Sequence, residues 1–180
     1  MQGRTSAACA GRAGAALLWF LMGVSCVSEA LAQVQEHELK AAFIYNFISF
    51  TEWPIKIEPN VNVCTMGKDS LIISLDALQK KIAKGGAIVV HHLRSEDELK
   101  DCHVIFISDS ERGNFPKILS RLKSMSILTV TDSEGFAAQG VMIELALEER
   151  RIVFKINVQA AKQAKLMISS KLLRLAKVVY

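Results

Sequence analysis

Residues 103–131 read HVIFISDSERGNFPKILSRLKSMSILTVT. HVIFIS and SILTVT are short apolar runs rich in β-branched residues. Between them Asp109 or Ser110 can cap a helix whose body holds Ile118, Leu119 and Leu122 at helical spacing. This is a strand–helix–strand unit. Strands with no polar face belong in a parallel sheet covered on both sides. The same alternation continues upstream. VNVCTM (61–66) is a strand ended by Gly67, and Leu71, Leu75, Leu78 and Ile82 put a helix over 70–83 that Gly85-Gly86 ends. AIVVH (87–91) is a further strand. Ser95 and Glu98 form a capping box for a short helix. Downstream, residues 132–140 are a loop or a short turn of helix between Gly135 and Gly140. Residues 141–147 and 151–157 form two strands joined by Glu148-Glu149-Arg150 as an antiparallel hairpin, followed by helices over 158–165 and 169–178. At the other end, EHELKAAFIYNFISFT (36–51) is a helix. Its Leu39, Phe43, Phe47 and Phe50 share one face, widened by Ile44, Tyr45 and Ile48, so most of it should be buried; Trp53-Pro54 stops it. The expected fold is one α/β domain, mostly parallel, with a C-terminal antiparallel hairpin.

The chain has 180 residues, of which 51% are hydrophobic and 22% charged, with only three prolines. That excludes disordered and collagen-like chains and leaves enough apolar material for a sizeable core. Residues 1–32 stand apart. Arg4 and Arg12 precede an apolar run, AGAALLWFLMGV, and Ala30-Leu31-Ala32 supplies small residues at a cleavage position. This pattern is a secretory signal peptide, with the mature domain over 33–180. The run is shorter than the roughly 20 apolar residues a spanning helix needs. Of four cysteines, Cys9 and Cys26 leave with the signal, and Cys64 and Cys102 remain. Export to an oxidising compartment makes their disulfide the default expectation, the alternative being two buried free thiols.

Charge is uneven. Residues 150–180 carry eight Lys or Arg and no Asp or Glu. Lys162, Lys165, Lys171 and Arg174 in this stretch are the candidate partner-binding residues, on a basic face that suits an acidic partner. The bland reading is a solvated face favoured by helix dipoles. No nucleic-acid signature accompanies these charges, because Phe154 is the only aromatic residue among them before Tyr180.

Catalytic patterns fail one by one. Cys102 and His103 are neighbours on a strand and point to opposite faces. His37, His91, His92 and His103 lack the i, i+4 spacing of a helical metal site, so no metal or cofactor is expected. Met66-Gly67-Lys68-Asp69-Ser70 lacks the second glycine of a phosphate loop, and Asp69 or Ser70 reads better as a helix cap. The expectation is a protein that is not an enzyme.

Several stretches together resemble the YfiR-like (HmsC-like) family of periplasmic proteins. They are LKAAFIYNFISFTEWP with Tyr45, Asn46, Phe47, Trp53 and Pro54; CHVIFIS with SERGNFPKIL; LTVTDSEGFAAQGVMIEL with Gly135, Phe136 and Gly140; and VFKINVQAAKQAKLMISSKLLRLAKVV with Asn157, Ser169, Ser170 and Lys171. The resemblance implies a Rossmann-like three-layer domain that is not an enzyme and forms a homodimer. It implies repression of an inner-membrane diguanylate cyclase through the cyclase's periplasmic sensor domain. An outer-membrane peptidoglycan-associated lipoprotein would relieve that repression, and cyclic-di-GMP and biofilm formation would follow. It also implies the Cys64–Cys102 bridge. A second cysteine pair of some relatives would fall near Met142 and Glu149 and is absent, and Val141 replaces a frequent glycine. The competing reading is a periplasmic small-ligand sensor. Its site would be the crevice at the carboxyl ends of the strands, at Gly67-Lys68, Ser108-Asp109 and Thr131-Asp132.

Overall fold

Strand β5 (Val104–Ile107) is buried at every position and lies inside an eight-stranded sheet. The computed structural model describes residues 33–123 and 125–180; the expected signal peptide lies outside them. Parallel to β5 run β2 (Asn60–Met66), β4 (Gly86–Leu93), β6 (Leu128–Thr131) and β7 (Ile143–Glu148). β8 (Arg151–Ile156) pairs antiparallel with β7, and β10 (Val178–Val179) pairs parallel with β8. On the far side β3 (Ile82–Ala83) pairs antiparallel with β4. The order is β10-β8-β7-β6-β5-β2-β4-β3. The turn from β7 to β8 is only Glu149 and Arg150, at φ 47° and 64°. Two central residues at positive φ match the twist of the paired strands.

One face of the sheet packs on α1 (helical over 33–49), α2 (Ser70–Asp76), α4 (Val158–Gln163) and α5 (Ser170–Leu173). Ile44, Phe47 and Ile48 of α1 meet Val63, Val104, Phe106 and Phe154 there. The other face packs on α3 (Phe115–Leu122) through Phe115, Ile118 and Leu122, beside Leu99 and the cysteines. A second, two-stranded sheet joins β1 (Thr51–Glu52) to β9 (Met167–Ile168) and ties the end of α1 to the C-terminal segment.

Several expected helices are shorter than their periodicity suggests. The helix over 70–83 stops at Asp76, because Lys80 turns at φ 68° and the chain doubles back as β3. Ile82 is therefore 63% exposed instead of buried in phase with Leu78. Gly85 at φ 85° makes the β3–β4 turn rather than ending a helix. Residues 96–101 form a 3₁₀ stretch, and the Ser95 side chain makes no capping hydrogen bond. Ser108, not Asp109 or Ser110, caps the 3₁₀ turn over Asp109–Asn114. The helix over 169–178 ends at Leu173, and its last part becomes β10. α1 is correctly placed, but its buried side is Ala41, Ile44, Phe47 and Ile48, whereas Leu39 and Phe50 face outward.

Cys64 on β2 and Cys102 before β5 are bonded, with Cα atoms 5.8 Å apart. The bridge links strands already paired at Cys64↔Ile105. It closes a loop of 38-residue separation, worth about 4 kcal/mol in the chain-entropy account. We expect Cys64→Ser, or reduction, to lower the Tm clearly. Thiol titration of the unfolded, unreduced mature chain should find no free thiol; two per chain would refute the bridge.

Candidate partner-binding surface

The apolar arc of α1 is wider than the arc it buries. Phe47 is fully buried, with its ring centroid 5.1 Å from that of Phe154, and Phe43 lies 5.9 Å from the same ring. Leu39 and Phe50 are further round the helix on the side of Phe43, 47% and 37% exposed. Together they make an apolar ridge along the outside of α1. At its foot the Ser169 N–H donates to the Phe50 carbonyl at 2.9 Å, and β1 pairs with β9, whose Met167 is 69% exposed. Lys165 and Lys171 flank β9 in sequence and are exposed. So are Lys162 and Arg174, and none of these four cations has an ion-pair partner among the described residues. The other two lysines of the stretch are spent inside the molecule: Lys155 on Glu144 at 2.9 Å and Lys177 on Glu148.

Most residues that carry the sequence motifs hold this surface rather than form it, Lys171 being the exception. The Tyr45 hydroxyl donates to the Ile82 carbonyl at 2.8 Å and anchors α1 to β3. Trp53 is half-buried, Pro54 is exposed, and Asn46 is exposed beside the ridge. Ser169 caps α5 by accepting from the Lys171 N–H at 3.2 Å, and Ser170 is exposed. Asn157 works twice: its Oδ1 accepts from the Ala160 N–H to cap α4, and its Nδ2 donates to the Ala137 carbonyl at 2.7 Å. That second bond pins the 133–141 loop. Gly135 and Gly140 turn there at φ 87° and 118°, and Phe136 stacks on Phe115 at 3.8 Å with the Arg112 guanidinium over its ring.

Sequence reading missed Glu144, the carboxylate beneath that loop. It is 1% exposed, accepts from the Ala137 N–H at 2.9 Å and pairs with Lys155. Burial alone would raise its pKa, but the Ala137 N–H, Lys155 and the Gly135 N–H outweigh it and hold the carboxyl below the usual range. The signal was the hairpin register, which sets Glu144 opposite Lys155.

The carboxyl edge of the sheet is filled by the protein's own groups. The order reverses between β2 and β5, the usual ligand crevice of such sheets. Here the Lys68 N–H donates to Ser110 Oγ at 2.8 Å, and a Cβ on Gly67 would sit 2.6 Å from that oxygen. Asp69 caps α2 through the Leu71 N–H, and Thr131 donates to the Ile107 carbonyl. Lys40 comes down from α1 and meets Asp132 at 3.1 Å and Glu36 at 2.8 Å. The histidines are likewise engaged: His37 with Ser70, His92 with Thr65 and Asp76, and His103 Nδ1 with the Asn62 N–H. Burial pushes the His103 pKa down. Open space lies elsewhere, in a groove of about 920 Å³ beside the disulfide, between the outer part of β4 and residues 97–102.

The YfiR/HmsC-like family model matches residues 37–177. The chain belongs to the YfiR/HmsC-like family. No curated protein matches it. Among solved structures it is similar to a conserved domain protein from Vibrio cholerae O1 biovar El Tor, at 12% identity and TM-score 0.54, covering 80% of this chain and 60% of that one. An ABC domain from Streptococcus pneumonia in complex with L-Trp has TM-score 0.48 at 10% identity, covering 67% of this chain and 56% of that one. The chain thus spans under two thirds of either structure. The Vibrio likeness concerns the fold alone. Membership in the YfiR/HmsC-like family suggests a periplasmic regulator of diguanylate cyclase. No helix among the described residues is long and apolar enough to cross a membrane.

The buried pair under the motif loop gives a direct test. Lys155→Met leaves Glu144 buried and without its cation. We expect a loss of about 3 kcal/mol in denaturant unfolding at neutral pH. Because the Glu144 pKa is lowered on folding, its contribution is present above the unfolded value of 4.5 and fades as pH falls through the folded one. The difference between wild type and variant should therefore shrink in acid.

Proposed function

We propose that this YfiR/HmsC-like protein is a periplasmic repressor of an inner-membrane diguanylate cyclase and acts by binding the cyclase's periplasmic sensor domain. It lowers cyclic-di-GMP and biofilm formation without itself being an enzyme. An outer-membrane, peptidoglycan-associated lipoprotein relieves the repression by sequestering it. The observation that carries this reading is the family match over 37–177. The α1 ridge supports it, since an exposed apolar strip beside unpaired cations suits a protein partner with an apolar contact and an acidic rim. We read the domain as Rossmann-like, exported after cleavage of residues 1–32, and as a homodimer.

The small-ligand reading keeps one observation in its favour, the groove of about 920 Å³ beside the disulfide, which is within the size range of ligand sites. It moves that reading's site away from the carboxyl edge. Capture from periplasm separates the two: a cyclase sensor domain retained by the purified protein supports repression, and retention of small molecules alone supports a sensor.

Deleting the protein should raise cyclic-di-GMP and surface attachment. Phe50→Asp should weaken capture of the sensor domain by about tenfold or more, the scale of losing one anchor residue. Lys165→Glu with Lys171→Glu should weaken it more at low salt than at high salt, since exposed charges are screened beyond about 8 Å at physiological ionic strength. Wild-type binding by both variants would remove this surface from the function.

A further inference from the structure

Lys40 is the place where α1 touches the carboxyl edge with charge. Its Nζ sits between Glu36 and Asp132, and its side chain and that of Asp132 are 8% and 11% exposed. Two features of this cluster are unusual. Asp132 Oδ1 is buried with no hydrogen-bond partner. The cluster is also short of positive charge. Lys40 faces two carboxylates, and Asp69, between β2 and α2, adds a third negative field. Of the other groups at this edge, Arg112 is spent on Asp109 at 2.6 Å and His37 lies on Ser70 at 3.4 Å. Asp109 itself faces Ser133.

We propose that Lys40 and Asp132 form a proton-operated latch that tightens on acidification, a proton on Asp132 fastening the start of α1 and the ridge of Leu39, Phe43 and Phe50 to the sheet. The proposal rests on the docking reading of that ridge for its consequence, though not for its mechanism. Intuition says the opposite, that acid breaks an ion pair and frees the helix. Burial decides the sign. It is the largest influence on Asp132 and raises its carboxyl above the ordinary 3.8; Lys40 opposes this and Asp69 reinforces it. Once α1 lifts and water reaches Asp132, that shift is lost. The seated state then holds the proton more tightly than the lifted one, so falling pH draws the equilibrium toward the seated state. Lys40 is raised from 10.5 and stays charged throughout. A seated ridge is preorganised, so the partner should bind more tightly in acid than at neutral pH.

Amide hydrogen exchange over residues 36–43 of the mature protein tests the latch without any partner. After correction for intrinsic chemistry, wild-type protection should rise as pH falls from neutral toward the ordinary carboxylate range, by at most about tenfold per pH unit. Asp132→Asn, which carries the neutral form permanently, should be protected at both pH values. Lys40→Met should be loose at neutral pH and regain protection in acid. Wild-type protection that is flat or falls on acidification overturns the latch. So does an Asp132→Asn variant less protected than wild type at neutral pH, because the ion pair itself would then hold the helix. With the captured sensor domain, Asp132→Asn should bind at neutral pH as wild type binds in acid. If exchange behaves as stated and binding does not, the latch stands and the ridge is not the docking surface.

Discussion

The packing of α1 across the sheet is the contact on which the rest of the domain depends. Phe47 sits fully buried against Phe154 of β8, with Ile44 and Ile48 on the central strands. One helix thereby reaches both ends of the sheet: Tyr45 fixes it to β3 at one edge, and β1 ties its end to β9 near the other. α2, α4 and α5 share the same apolar cluster, and each is at most seven residues long. Helices that short are marginal in isolation. They are held by burial against neighbours that α1 completes, so a loss at Phe47 would be felt at both edges.

The contact also explains why α1 carries more apolar surface than it buries. A helix that crosses a twisted sheet can seat only part of a wide apolar arc. Ala41, Ile44, Phe47 and Ile48 take that part; Leu39 and Phe50 are left outside and Phe43 is half-covered. Periodicity alone placed all four of Leu39, Phe43, Phe47 and Phe50 in the core, because helical spacing gives the width of an arc and not its centre.

Legibility in the sequence divides along the same physical line. β2, β5 and β6 were plain because a strand buried on both faces has only apolar or small residues, as VIFI and LTVT do. The short elements were not. Ile82 keeps helical phase with Leu78, yet the reversal at Lys80 makes it a strand residue paired with Ala87. Val178 closes the helix expected over 169–178 but instead pairs with β8. In both cases sheet pairing won over local propensity, and partners distant in sequence cannot be read from a window. The motif residues were legible as a pattern, while their work was not: Asn157 and Ala137 are twenty positions apart.

The two buried acids show how finely such sites are set. Glu144 and Asp132 are both carboxylates inside the domain, and each has a lysine about 3 Å away. Their proton affinities move in opposite directions. Burial is the largest influence on both and pushes both upward, and the lysine pulls both down. Glu144 gathers two backbone N–H donors against one for Asp132, which also feels the Asp69 charge. Glu144 lies under the loop held by Gly135 and Gly140 and receives the N–H of Ala137 as well as Lys155. Asp132 shares its lysine with Glu36 and has one oxygen with no donor at all. A carboxylate that gathers donors stays charged and pins its loop. One that lacks them is left with a site for a proton, and here that site lies where the helix carrying the exposed ridge meets the sheet.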